Sequence, residues 1–239
     1  MISVVIPAYN EEAILKDNMN TLIEFLDKSF NGDYELVLVN DGSKDSTGVI
    51  MKTLEKEHEG KVVCAGYDIN RGKGGAVKEG VLHSKGDIVL YTDSDLAYGC
   101  EIIKSFYDAL INSDFSAAIG SRRLGEDGYH EYTFLRKVMS WGYLMVLKVF
   151  AGFSYSDSQC GIKAFKGDKA REIFALTETN GFAFDLEVLM IARKMRLNIS
   201  EIPVKIINHR DSKINPVKDS VKMLLDIFKI KRRVNRNFR

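Results

Sequence analysis

Cysteine, proline and tryptophan are scarce in this chain, and no long uninterrupted apolar run occurs in it. Cys64, Cys100 and Cys160 are odd in number, widely spaced and without a CxxC or histidine partner pattern, so neither a disulfide frame nor a zinc site is expected. A reducing cytoplasm fits that usage best. The longest apolar stretch, Val138 to Phe153, is broken by Ser140, Gly142 and Lys148 and falls short of the ~20 residues that span a bilayer. The first residues run straight into Ile2-Ser3-Val4-Val5-Ile6 with no basic leader, so no secretory signal is expected either. Net charge is nearly absent: 34 basic residues face 33 acidic ones, which removes any global case for nucleic-acid binding. The balance hides an asymmetry, because Lys229 to Arg239 holds six basic residues and no acid.

What the chain does have is a core: 45% of its 239 residues are apolar, enough for one α/β unit of this length. Short β-branched runs at Ile2 to Ile6, Tyr34 to Asn40, Lys61 to Tyr67 and Asp87 to Tyr91 read as strands. Between them, Leu15, Met19, Leu22 and Leu26, then Ile50 and Leu54, then Val77 and Val81 recur at helical spacing. The strands are almost continuously apolar, as they are when helices cover both faces of a sheet. The pattern predicts a doubly wound, mostly parallel α/β sheet. The second half is less regular. It predicts strands near Phe115 to Gly120 and Ile162 to Phe165, helices over Tyr132 to Phe150, Lys169 to Leu176 and Phe184 to Lys194, and an extended Ile199 to Ile207. After Pro216 comes an amphipathic helix with Val217, Val221, Leu224, Leu225 and Phe228 on one face, followed by the basic tail.

Ligands of such sheets collect at the carboxyl ends of the strands. The loops there read Pro7-Ala8-Tyr9-Asn10-Glu11-Glu12, Asn40-Asp41-Gly42-Ser43-Lys44-Asp45, Asn70-Arg71-Gly72-Lys73-Gly74-Gly75 and Asp93-Ser94-Asp95. Two carboxylates two residues apart at a strand end, Asp93 and Asp95, suit a hard divalent cation bridging phosphate oxygens, Mg²⁺ or Mn²⁺. The same residues would also serve as a helix cap. Asp41 is a candidate acceptor for the N–H edge of a base, and its loop is equally a turn leading to a helix capped by Ser43 or Asp45. Arg71 and Lys73 offer positive charge to phosphate from a glycine-rich turn that is neither the dinucleotide fingerprint nor a P-loop.

Taken together, these loops resemble, in order and spacing, family 2 glycosyltransferases with the GT-A fold, a Rossmann-like α/β architecture. Gly120-Ser121-Arg122, Asp157-Ser158-Gln159-Cys160-Gly161-Ile162-Lys163 and Phe182-Ala183-Phe184-Asp185-Leu186-Glu187 are similar to the branch making polyprenyl-phosphate hexoses, dolichyl-phosphate β-glucosyltransferases first and mannose synthases next. The resemblance runs from Ile2 to about Ile214. It implies a nucleotide-sugar half over 1–97, an acceptor half over 98–215 and a C-terminal helix and tail over 216–239. It further implies that Pro7, Tyr9, Glu11, Asp41, Arg71, Lys73, Asp93 and Ser94 meet the nucleotide sugar, joined by Arg210 and Lys213 from a loop into which Asp211 intrudes. Asp93 and Asp95 would meet the metal. Arg122, Arg136 and Ser140 would bind the acceptor phosphate, and residues 136 and 140, one helical turn apart, share a helix face. Ala97 stands where mannose synthases carry a polar residue, which favours the glucosyl branch. Asp157 is the candidate catalytic base or positioner, and equally a turn cap before Gly161.

The activity so implied is inverting, metal-dependent transfer of a hexose from UDP-glucose or GDP-mannose to a polyprenyl phosphate. A phosphate dianion has a second pKa near 6, so little proton removal is needed, and the chemistry rests on cations that hold two anions together. Two alternatives remain: a family 2 enzyme acting on a saccharide or polymer, and a nucleotide-sugar binding subunit without turnover. Expected partners are the donor, the lipid phosphate and the cytoplasmic face of a membrane, reached peripherally through Val138 to Phe153 and the basic tail. A membrane-protein partner or a second copy of the chain is also compatible, and nucleic acid is not expected.

Overall fold

The computed structural model describes residues 1–125, 152, 155–208 and 216–238, the stretch 216–225 by its backbone alone. The expected helix Tyr132 to Phe150, and with it Arg136, Ser140 and nearly all of Val138 to Phe153, lies outside the described residues, as do Arg210 and Lys213.

Among the described residues seven strands form one sheet: β1 (Ile2–Ala8), β2 (Tyr34–Asp41), β3 (Val62–Tyr67), β4 (Ile88–Tyr91), β5 (Ala117–Ser121), β6 (Lys163–Lys166) and β7 (Ile199–Pro203), in the order β3-β2-β1-β4-β6-β5-β7. All pairings are parallel except those of β6, which runs antiparallel between β4 and β5. The expected mostly parallel, doubly wound sheet is found, with one reversed strand whose direction a four-residue run does not announce. The last strand stops at Pro203, short of the expected Ile207; proline lacks the N–H a ladder requires.

Helices α1 (Leu15–Phe30), α2 (Thr47–Glu57) and α4 (Glu101–Ile111) pack on one face, and α3 (Lys73–His83), α5 (Gly167–Leu176), α6 (Phe184–Lys194) and α7 (Pro216–Asn237) on the other. Each strand feeds both cores by alternation. Ile2, Val4 and Ile6 of β1, with Leu36 and Leu38 of β2, enter the first; Val5, Val37 and Val39 enter the second. This two-sided burial explains why the strands read as continuous apolar runs. Helix α4 was not expected, although Ile103, Phe106 and Leu110 carry helical spacing and are buried.

The basic tail does not follow the last helix; it is part of it, helical to Asn237. Ile227, Ile230 and Val234 are buried in the second core, while Phe228, expected on the apolar face, is 55% exposed. Arg233 reaches the fully buried Glu187 of α6 at 2.7 Å and the Thr179 hydroxyl at 2.5 Å. Part of the tail's charge is therefore spent inside the protein.

Candidate active site

Strand β1 is flanked by β2 on one side and β4 on the other, so chain direction across the sheet reverses beside it. That switch point opens a crevice at the carboxyl ends. The loops after β1 and β2 are bonded to each other there. The Asn10 N–H donates to Ser43 Oγ (3.1 Å) and Asn10 Oδ1 accepts from the Lys44 N–H (2.8 Å). The Glu11 N–H donates to Thr47 Oγ1 (2.8 Å), the Glu12 N–H to Asp45 Oδ2 (3.1 Å), and Glu12 Oε2 accepts from the Ser46 N–H. Asp45 also accepts from the Thr47 N–H across a turn, but the residue before the helix is Ser46, which makes no side-chain cap, so neither Ser43 nor Asp45 is the expected N-cap. Pro7 is half-buried at the end of β1, and Tyr9 stands 43% exposed at the crevice edge.

Asp41 is only 3% exposed and is occupied differently from the expected base acceptor. Its Oδ1 accepts from the Arg71 and Gly72 N–H groups (2.8 and 3.2 Å), and its Oδ2 from the Gly72 N–H and Asn70 Nδ2 (3.0 and 2.9 Å). Three donors, the Gly72 N–H shared between both oxygens, thus engage the Asp41 carboxylate. Asp41 thus holds the 70–72 turn in place, and a base N–H would have to displace one of these donors. Gly42 (φ +68°) is needed beneath it, since a Cβ would lie 2.5 Å from the Asn70 nitrogen. Arg71 stacks on the Tyr67 ring at 4.0 Å.

Lys73, expected at phosphate, lies 2.5 Å from Asp93 Oδ1. Burial alone would lower the pKa of this ammonium, but Asp93 and Asp185 outweigh it and hold Lys73 charged. Asp95 Oδ1 accepts from the Ala97 N–H at 3.1 Å within a turn; the next helix starts only at Glu101, so neither acid of the pair caps it. Ser94 is buried, and its carbonyl accepts from Asn18 Nδ2 (2.9 Å). Asn208 donates to the Leu96 carbonyl (3.1 Å), which ties the chain after β7 to the loop that carries the acid pair. Among the described residues no cluster of three or more His, Cys, Asp or Glu could hold a metal. Two hard carboxylates completed by substrate phosphates are what Mg²⁺ or Mn²⁺ takes, and a cation is already seated on Asp93, so the donor set fits such an ion.

Across the crevice, Arg122 follows β5 and is clamped by Asp157: Nε donates to Oδ2 (2.6 Å), Nη2 to Oδ1 (2.9 Å), and the Arg122 N–H to Oδ2 (3.2 Å). Burial works against the guanidinium charge, and the Asp157 carboxylate more than restores it, raising the Arg122 pKa. Of the readings open for Asp157, this geometry favours the positioner. Upstream, Glu201 Oε1 accepts from the Ser156 N–H and hydroxyl (2.7 and 2.8 Å) and steadies the approach.

Beyond Asp157 the chain forms a strap that ends on a buried ion pair. Lys163, fully buried, donates to the Cys160 carbonyl (2.7 Å) and lies 2.5 Å from Asp185 Oδ1, which also accepts from the Tyr91 hydroxyl (2.7 Å). Burial pushes the Tyr91 phenol well up, so it stays a donor. The Gly161 N–H donates to Tyr98 Oη (3.1 Å), and a Cβ on Gly161 would collide with Asp93 Oδ2. The strap thereby touches Arg122 at one end and Asp93 at the other. Lys163, Asp185, Gly161 and Tyr91 were not among the expected site residues. The first three belong to the motifs that carry the family resemblance, but their roles follow from contacts between residues 22 to 94 positions apart.

A family model described as Glycosyl transferase family 2 matches residues 3–174. The chain is 33% identical to a dolichyl-phosphate beta-glucosyltransferase of Dictyostelium discoideum, over 96% of this chain and 73% of that protein. The proteins of the same name from Saccharomyces cerevisiae and Homo sapiens are 32% and 31% identical, over 95% and 97% of this chain and 72% and 75% of theirs. Among solved structures, glucosyl-3-phosphoglycerate synthase from Mycobacterium tuberculosis, in complex with Mn²⁺, UDP and glucosyl-3-phosphoglycerate, aligns with a TM-score of 0.69 at 18% identity, over 98% of this chain and 80% of that one. A Pyrobaculum calidifontis mannosyltransferase with GDP-Man and Mn²⁺ aligns at 0.59 and 18%, over 98% and 72%. At these identities the structures establish a shared fold, the GT-A fold expected.

Proposed function

We propose a hexosyl transfer on one premise: this chain belongs to glycosyl transferase family 2 and is a glycosyltransferase. The donor is a nucleotide hexose, UDP-glucose ahead of GDP-mannose, and the acceptor is a polyprenyl phosphate. The relatives named as dolichyl-phosphate beta-glucosyltransferases support both choices, and Ala97 supports the glucosyl one. Residues 1–97 serve the nucleotide sugar and 98–215 the acceptor.

The observation that carries this reading is the clamp of Asp157 on Arg122. A saccharide acceptor needs a carboxylate to take the hydroxyl proton, and this carboxylate is bound to a guanidinium instead. A phosphate acceptor is already an anion near neutral pH; it needs a fixed cation. The clamp uses two of the five guanidinium N–H donors and orients the fork toward an oxyanion. The acceptor oxygen then attacks the anomeric carbon from the face opposite the nucleoside diphosphate, the bond to that diphosphate breaks, and the configuration inverts. On the leaving side Lys73 is held charged beside Asp93, ready to share its positive charge with the departing diphosphate. A divalent cation held by Asp93 and Asp95 would supply further charge neutralisation there.

No helix among the described residues is long and apolar enough to cross a membrane. Contact with a lipid acceptor is proposed to be peripheral, on the cytoplasmic leaflet, with exposed Lys229, Arg232 and Arg236 of α7 contributing ~1 kcal/mol each near anionic lipid. The test is transfer from radiolabelled UDP-glucose to dolichyl phosphate in detergent, read as label in the organic phase. Label is expected with Mg²⁺ or Mn²⁺ and none with chelator. Transfer only to saccharides, or binding without transfer, sinks the proposal.

A further inference from the structure

Glu187 of α6 is a fully buried carboxylate whose two oxygens face different parts of the chain. Its Oε2 accepts from the Glu178 and Thr179 N–H groups (3.0 and 2.7 Å), and its Oε1 from Arg233 Nε of α7 (2.7 Å). Arg233 Nη2 also donates to the Thr179 hydroxyl, so the guanidinium grips both the carboxylate and the segment that the carboxylate holds. That segment, 177–181, lies against the glycine-rich turn. Lys78 of α3 donates to the Thr177 carbonyl (2.6 Å), and the Gly75 N–H to the Asn180 carbonyl (3.3 Å). The fit is close: a Cβ on Gly72 would stand 2.8 Å from the Asn180 carbonyl oxygen, and one on Gly74 2.6 Å from that of Thr179. Between these two glycines is Lys73, whose ammonium sits on Asp93. Contact from Arg233 to Asp93 is therefore continuous.

We infer that Arg233 is a positioning residue for the donor side: the C-terminal helix sets where the 72–75 turn, and with it Lys73, stands against the diphosphate. The inference rests on the donor reading above and deepens it. Stability alone is a poor reason for the arrangement, because replacing a buried ion pair by apolar side chains is often neutral or stabilising; what the charged pair supplies is a defined geometry. The planar guanidinium fork fixes two acceptors at once, which neither an ammonium nor an apolar side chain does. The glycines pass that placement on, since close-packed backbone on backbone has no side chain that could yield between them.

The test measures UDP binding by calorimetry with Mn²⁺, together with KM for UDP-glucose and for dolichyl phosphate in detergent, on the whole chain and its Arg233→Lys and Thr179→Val variants. Arg233→Lys keeps a cation beside Glu187, so no buried carboxylate is left alone, and gives up the fork. Thr179→Val removes one of the fork's two acceptors. Each is expected to weaken UDP and raise the UDP-glucose KM by roughly 2- to 30-fold, the range of couplings carried through packed networks, with the dolichyl phosphate KM unchanged. In a chain already carrying Lys73→Met, Arg233→Lys is expected to have almost no further effect on UDP, because the group it places is gone. Unchanged UDP affinity in either variant, a parallel rise in the acceptor KM, or the same loss with and without Lys73 overturns the inference. Failure of the donor reading is separately visible: wild type would bind neither UDP nor GDP, and the inference falls with it. If wild type prefers GDP-mannose, the same variants are judged with GDP.

Discussion

The rim over β1 and β2 and the strap between Asp157 and Lys163 are built on opposite plans. On the rim, polar groups are spent on one another: Asn10, Ser43, Asp45 and Thr47 are interlocked, and Asp41 takes four contacts from a single turn. The strap is pinned at its ends, by Asp157 on Arg122 and by Lys163 on Asp185. Saturated polar networks rigidify. The rim is therefore an interlocked frame, and the strap is a tie that runs from Arg122 to Asp93.

A pair of alanines breaks this comparison most sharply. Gly161→Ala puts a methyl where Asp93 Oδ2 stands, so the strap or the acid must shift. Displacement on the scale of 1 Å costs on the order of 100-fold in turnover, and Mn²⁺ affinity measured by electron paramagnetic resonance should fall with it. Gly42→Ala, on the rim, forces a left-handed alanine against Asn70 at a cost of roughly 1–3 kcal/mol, read as a lower melting temperature. If Gly161→Ala lowers stability and spares turnover, the strap is frame as well.

Asp157→Asn separates positioner from base. The amide keeps the shape and loses the charge that fixes Arg122, and hydrogen bonds to charged groups are worth about 1.5–3 kcal/mol, so kcat should drop roughly 10- to 100-fold. The pH profile is the sharper readout. With its pKa raised, Arg122 stays protonated across the working range, so the acid limb belongs to the acceptor phosphate and lies near pH 6. Activity should fall below that pH in both wild type and variant. An acid limb that vanishes in Asp157→Asn would make Asp157 the base.

Much of the frame was legible in the sequence, because two-faced burial writes itself as apolar strands and helical spacing: Ile2 to Ile6 and Leu15 to Leu26 needed nothing more. The four loops were legible too, since strand-end position makes a polar loop conspicuous. What was not legible depends on partners far along the chain. Asp157 meets Arg122 across 35 positions, and Lys73 meets Asp93 across 20. The tail shows the same limit. Six basic residues dominate its composition, yet Ile227, Ile230 and Val234 at helical spacing decide where it goes, and Glu187 takes Arg233.

The mildest expected effect on turnover belongs to Asp41→Asn. The amide retains one acceptor oxygen, but its NH₂ would face a donor already aimed at the site, the Asn70 amide or the Gly72 N–H. Losing charge-assisted contacts in a site 3% exposed should cost about 2 kcal/mol, which for a domain of this size lowers the melting temperature by about 4–8 °C. Since the turn carries Arg71 and leads to Lys73, nucleotide affinity should fall only as far as that turn loosens, equally for UDP and GDP. A base-reading role predicts another outcome: melting unchanged, and UDP weakened through loss of its N–H acceptor. The ratio of melting loss to affinity loss in this one variant therefore tells whether Asp41 belongs to the frame, as its four contacts indicate, or to the ligand.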